Sequence, residues 1–136
     1  MNFLSNELSK YTLHECVIDE LINEKSCIKL IFNNGIYSNN EEVITLTNKC
    51  IMEFELPSFN IDESYEFISI KLIHKKRVKE IEYTDLVKLL SKNIFKVYLD
   101  YYSELAQSTL LKGTLKNYEV ELIITDIKDI RFNFYW

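Results

Sequence analysis

From Leu13 onward, apolar residues recur at every second position in block after block. Period two is the spacing of a strand, whose successive side chains point to opposite faces of a sheet. Cys16 and Ile18 share a face, as do Ile28, Leu30 and Phe32, and a further strand is expected over residues 42–47. Cys50, Met52, Phe54 and Leu56 then alternate with Ile51, Glu53 and Glu55 until Pro57, which cannot donate to a ladder, ends the run. The polar stretch 58–64 reads as a surface loop. Residues 65–74 are apolar on both faces, as in a central strand, and residues 77–83 are the expected antiparallel partner across a lysine-rich turn. Phe95, Val97, Leu99 and Tyr101 then alternate with Lys96, Tyr98, Asp100 and Tyr102, which places the first set in the core and the second outside. Strands at 111–115 and 118–124 follow, and Ile130, Phe132, Phe134 and Trp136 share a face of the last one.

Two stretches have helical spacing instead. Leu4, Leu8 and Tyr11 at i, i+4 and i+7 predict a short amphipathic helix within residues 1–12. The second helix, near 84–93, is expected to open with Thr84 as N-cap and Asp85 in the first turn, and to bury Leu86, Leu89 and Leu90. Lys88 and Lys92 suit its negative end, and Asn93 closes it in the left-handed conformation. Parallel strand pairs need a crossover of a dozen or more residues, which only the 84–93 region offers. The expected fold is therefore α+β and β-rich, with a mainly antiparallel sheet arranged as a sandwich or a partly closed barrel. The length of 136 residues suits a single domain, 1–136.

The chain contains only two glycines and one proline. Glycine-rich phosphate loops and the G-x-S-x-G nucleophile elbow cannot be written with Gly35 and Gly113 alone. Asn33-Asn34-Gly35 is a turn signal, whereas Gly113 inside a strand pattern marks a bulge or a close contact. Sixteen basic against 21 acidic residues give a net charge of -5, a surface that repels phosphate backbones. The densest basic run, His74 to Arg77 with Lys79, is short and is followed by Glu80 and Glu82, so nucleic acid is not an expected partner. No signal peptide or long apolar span is visible, which makes the cytoplasm the expected location and leaves no membrane role. Three cysteines, Cys16, Cys27 and Cys50, with no C-x-x-C, read as small buried hydrophobes in a reducing compartment.

Candidate chemistry is sparse. His14 or His74 could activate Cys16 as a thiolate, but the residues on this strand read more simply as structural. Zinc would need four ligands from His14, Cys16, Cys27, Cys50 and His74, and their spacing matches no structural site, so neither metal nor cofactor is expected. Carboxylate pairs such as Asp19-Glu20, Glu41-Glu42 and Asp62-Glu63 read as solvated faces, which together favour a basic partner. Aromatic residues are concentrated in two strands, and the out-of-phase Tyr98, Tyr102 and Tyr135 are expected to be exposed. Tyrosine beside acids is anchor chemistry for a protein interface. The contact residues expected are Tyr98, Asp100, Tyr102 and Tyr135, with Glu119 and Glu121 as rim charges.

Leu13-His14-Glu15-Cys16-Val17-Ile18 followed by Ile28-Lys29-Leu30-Ile31-Phe32 resembles the start of small β-rich bacterial immunity proteins of polymorphic toxin systems. The likeness covers about 20 of the 136 residues and carries over no binding residue. It implies a cytoplasmic inhibitor that binds and neutralises a cognate toxin. The function expected is accordingly non-enzymatic protein binding, with a basic toxin domain as partner and the oligomeric state left open. The alternatives are a small-molecule or lipid-binding β-barrel, a structural subunit of a larger assembly, and an enzyme built on His14 and His74.

Overall fold

The computed structural model describes residues 10–24, 26–40, 43–57 and 67–135. Its strands are β1 (Tyr11–Thr12), β2 (Val17–Ile18), β3 (Glu20–Glu24), β4 (Cys27–Phe32), β5 (Tyr37–Asn40), β6 (Val43–Leu46) and β7 (Cys50–Glu55). After these come β8 (Ile68–His74), β9 (Arg77–Ile81), the helix α1 (Tyr83–Leu90), β10 (Phe95–Ser103), β11 (Ser108–Leu115), β12 (Tyr118–Ile124) and β13 (Asp129–Phe134). The strands pair antiparallel throughout and form a six-stranded sheet, β2-β10-β11-β12-β8-β9, and a four-stranded sheet, β13-β7-β4-β3. A small third sheet, β1-β5-β6, is antiparallel as well. The sheets do not close into a barrel, which decides between the two expected architectures in favour of an α+β sandwich.

Inner faces of both large sheets contribute to one apolar cluster. Ile28, Leu30, Phe32, Met52 and Phe54 come from one sheet, and Phe95, Val97, Leu111, Val120 and Leu122 from the other. Helix α1 adds Leu86 and Leu90, each contributing roughly 1.5–3 kcal/mol by burial. That burial holds a helix of eight residues, too short to persist in water alone.

The ends of α1 differ from those read in the sequence. Glu82, not Thr84, is the N-cap, because the Asp85 carboxylate accepts the Glu82 backbone N–H at 3.1 Å and starts the helix two residues earlier. Thr84 lies exposed inside the first turn. Ser91 is the C-cap, and Asn93 acts through its side chain, whose amide donates to the Leu89 carbonyl at 3.0 Å; its backbone is not left-handed.

Three short strands, β1, β3 and β5, were not anticipated, and the expected strand from Leu13 to Ile18 shrinks to β2. Leu13 to Cys16 instead makes a tight turn, closed by Cys16 N–H donating to the Leu13 carbonyl at 2.9 Å, with Glu15 left-handed at φ 70°. Of the expected N-terminal helix, residues 1–9 lie outside the described residues and Tyr11–Thr12 is strand. Residues 58–64 and Trp136 also lie outside them.

Gly35 adopts φ +83°, and a side chain there would strike the backbone carbonyl of Thr47. Gly113 combines both properties expected of it. A Cβ would collide with the Phe95 ring and the Lys96 carbonyl, and the residue lies beside a β-bulge. Val97 pairs with Gly113 and Leu99 with Lys112, so Tyr98 is an extra residue without a partner on β11.

Candidate functional site

The bulge rearranges the candidate contact residues. An unbroken alternation would bury Leu99 and Tyr101 and expose Asp100 and Tyr102. The extra residue changes the face of every side chain beyond it, which turns Leu99 and Tyr101 outward and Tyr102 inward, while Asp100 remains exposed. Asp100 pairs with buried Leu111 and Tyr102 with buried Thr109, and Tyr102 packs against the core. Leu99 and Tyr101 are turned outward, 40% and 62% exposed. The expected core places of Leu99 and Tyr101, and the expected exposure of Tyr102, are thus corrected.

Asp100 keeps one side open to solvent, yet the protein around it raises its carboxyl above the ordinary value, opposed by a long hydrogen bond of 3.5 Å from the Leu13 N–H. Burial likewise raises the Tyr102 hydroxyl. Tyr98 is half-buried, and its carbonyl accepts from His14 Nδ1 at 2.6 Å. His14 is therefore an exposed turn residue that secures the bulge, not a strand residue beside Cys16. Its Nε2 lies 3.4 Å from Glu15, which pairs with Lys96 at 2.8 Å, and the Lys96 ammonium lowers the Glu15 carboxyl.

Glu119 and Glu121 share the outer face of the six-stranded sheet with Leu99 and Tyr101. Across the strands, Leu99, Lys112, Glu121, Lys71 and Glu80 stand in one row, with Lys112 and Glu121 joined at 3.2 Å. A parallel row holds Tyr101, Leu110 and Ile123. The β10–β11 turn beyond Tyr101 presents Leu105, which is 98% exposed. Tyr135 is elsewhere, just past β13 of the other sheet, where its exposed ring lies 5.8 Å from Lys49 Nζ. The six candidates consequently divide into a bulge residue (Tyr98), an inner-face pair (Asp100 and Tyr102), an outer-face pair (Glu119 and Glu121) and a separate tyrosine.

Leu99, Tyr101 and Leu105 were missed in the sequence reading. Gly113 was the available signal, since a strand glycine under a neighbouring aromatic ring points to a bulge in the strand it faces. Nothing in residues 95–102 themselves marks where the phase changes.

The catalytic alternatives meet specific physical obstacles. Burial pushes the Cys16 thiol up to about 11 and Cys50 to about 12, which keeps both protonated at neutral pH and unsuited to nucleophilic attack. His74 Nδ1 bonds the Asn117 carbonyl at 2.9 Å and its ring lies against Tyr118, so it clamps two adjacent hairpin turns. Since a carbonyl can only accept, Nδ1 carries the proton in both histidine contacts. Among the described residues no group of three or more His, Cys, Asp or Glu side chains is placed to hold a metal ion. Also among them, no helix is long and apolar enough to cross a membrane.

An open groove of about 580 Å³ lies between α1 and β3, with Asp19, Leu21, Ile22, Val87 and Leu90 among its walls. It lies outside any closed barrel, since the sheets do not close into one.

No protein-family model, curated protein or solved structure matches the chain.

Proposed function

We propose that this chain is a non-enzymatic protein-binding domain, an immunity-type inhibitor that acts in the cytoplasm and neutralises a basic toxin domain. The observation that carries this reading is the outward turn of Leu99 and Tyr101 on β10, continued by Leu105 at the hairpin tip. Exposed apolar side chains grouped in one strand and its turn supply the anchors of an interface. The outer-face carboxylates Glu119 and Glu121, together with the net charge of -5, favour a basic partner and steer its approach. Tyr101 takes the anchor role first given to Tyr98 and Tyr102, while Glu119 and Glu121 keep the role of rim charges. Asp100 supports the turn at Leu13 from the inner face, and Tyr135 lies outside the contact.

On this reading the gene beside this one encodes a toxin domain, and co-expression with that gene's product tests it. The chain should restore growth and bind the purified toxin domain, and Tyr101→Ala should weaken that binding about tenfold or more. Failure of the intact chain to restore growth or to bind would refute it.

A further inference from the structure

The cations of this acidic chain gather at one corner of the fold. Lys75 and Lys76 form the tip of the β8–β9 hairpin, and Lys116 with Asn117 forms the tip of the β11–β12 hairpin. Strands β12 and β8 are neighbours, so the two tips stand side by side, joined by the bond from His74 Nδ1 to the Asn117 carbonyl. Alternation along β9 then sorts its charges by face. Lys79 lies opposite buried Leu72 and Arg77 opposite His74, which puts both on the inner-face side of the edge strand, where both are exposed. Glu80 points the other way, opposite Lys71, and Glu119 shares that outer face. Glu82 is the N-cap of α1, at the far end of β9 from the tip. The acids that follow the basic run in sequence therefore do not offset it in space, and Lys116 joins it from another hairpin.

The three tip lysines occupy positions that disfavour lysine. Lys75, Lys76 and Lys116 have φ of 48°, 68° and 57°, the left-handed region that Asn and Gly enter at lower cost. Among the described residues no other lysine is left-handed. An aromatic ring lies between the cations. Tyr118 follows the second tip, is 37% exposed, and packs against His74 with ring centroids 5.6 Å apart.

We propose that this corner is a binding site for single-stranded nucleic acid, in which Lys75, Lys76, Arg77, Lys79 and Lys116 hold phosphates and Tyr118 stacks on a base. The net charge of -5 does not forbid it, because exposed charges more than about 10 Å away are largely screened at ~0.1 M salt. The ring among the cations selects nucleic acid from the polyanions. A base offers a flat face to stack on, whereas an acidic peptide or a lipid headgroup offers only charge. A duplex keeps its bases stacked inside and leaves Tyr118 without one. The inference rests on this corner and is independent of toxin binding by β10.

Fluorescence anisotropy with an oligothymidylate of about 20 nucleotides is the test. The logarithm of affinity should fall with the logarithm of salt concentration at a slope of about -3.5, that is about -0.7 for each cation engaged. Lys75→Asn combined with Lys76→Gly removes two cations and gives the turn its preferred pair, so the variant should fold as the parent does. Its slope should drop to about -2, and its affinity should fall about tenfold or more at low salt. Tyr118→Ala should weaken binding about fivefold or more with the slope unchanged, and Tyr118→Phe should retain it. A parent chain that fails to bind the oligonucleotide at about 20 mM salt would overturn the proposal. So would an affinity untouched by the paired lysine substitution or by Tyr118→Ala, or tighter binding to phosphatidylserine vesicles or polyglutamate than to the oligonucleotide.

Discussion

On the four-stranded sheet the register between β13 and β7 runs without a break from Asp129 opposite Glu55 to Phe134 opposite Cys50, and β4 pairs with β7 just as evenly. Its outer face consists of residues the alternation assigns there, and its charges are matched locally. Lys29 lies 3.2 Å from Glu24 and 3.9 Å from Glu53, and Arg131 lies 3.0 Å from Glu55 and 3.3 Å from Asp129. The six-stranded sheet begins with the same alternation, but Tyr98 interrupts it, and beyond that point apolar side chains face solvent. One face is neutralised within itself. The other turns Leu99 and Tyr101 to solvent beyond the bulge at Tyr98.

The sharpest way to break this comparison is to change the number of residues in each sheet. Deletion of Glu53 from β7 shifts the rest of that strand by one position and turns buried Phe54 outward, so no cooperatively folded protein should be recovered. Gly113→Ala should cost about 3 kcal/mol, read from urea denaturation, because its Cβ would meet the Phe95 ring and a backbone carbonyl. Deletion of Tyr98 should be tolerated far better than deletion of Glu53. Val97 opposite Gly113 and Leu99 opposite Lys112 are already consecutive pairs, so removing the extra residue leaves the faces of β10 as they are. The loss should be about 1–2 kcal/mol, chiefly the His14 hydrogen bond to the Tyr98 carbonyl and the half-buried ring.

The smallest effect concerns pH. Asp100 has a folded-state pKa raised chiefly by burial, so its charged form reduces stability at neutral pH. That loss is recovered as pH falls through the raised value, because the folded chain binds the proton more tightly than the unfolded chain. Asp100→Asn should therefore raise Tm slightly at neutral pH, with the gain shrinking in acid, and thermal melts at several pH values check the sign.

Much of the fold was legible because its strands are patterned by burial on one side. Cys50 to Glu55 alternates buried and half-buried residues as read, and so does Tyr118 to Ile124 over most of its length. The helix was legible from Leu86 and Leu90, although its cap was not, since Thr84 and Glu82 both suit an N-terminus and only the contact with Asp85 separates them. Strand β5, Tyr-Ser-Asn-Asn, has little intrinsic strand preference and is held by β1 and β6 on either side. The candidate site was the least legible part. The phase of Leu99, Asp100, Tyr101 and Tyr102 depends on the pairing of β10 with β11, a tertiary fact that no window along β10 contains.

The central claim is that the outer face around Tyr101 is the docking surface and the matched face around Arg131 is not. Titration of the basic toxin domain that the proposed function calls for into the parent, Tyr101→Ala and Arg131→Ala proteins tests it most directly. The account predicts a loss of affinity of about tenfold or more for Tyr101→Ala and less than about threefold for Arg131→Ala. Equal affinities for the parent and Tyr101→Ala, or a larger loss in Arg131→Ala, would contradict it.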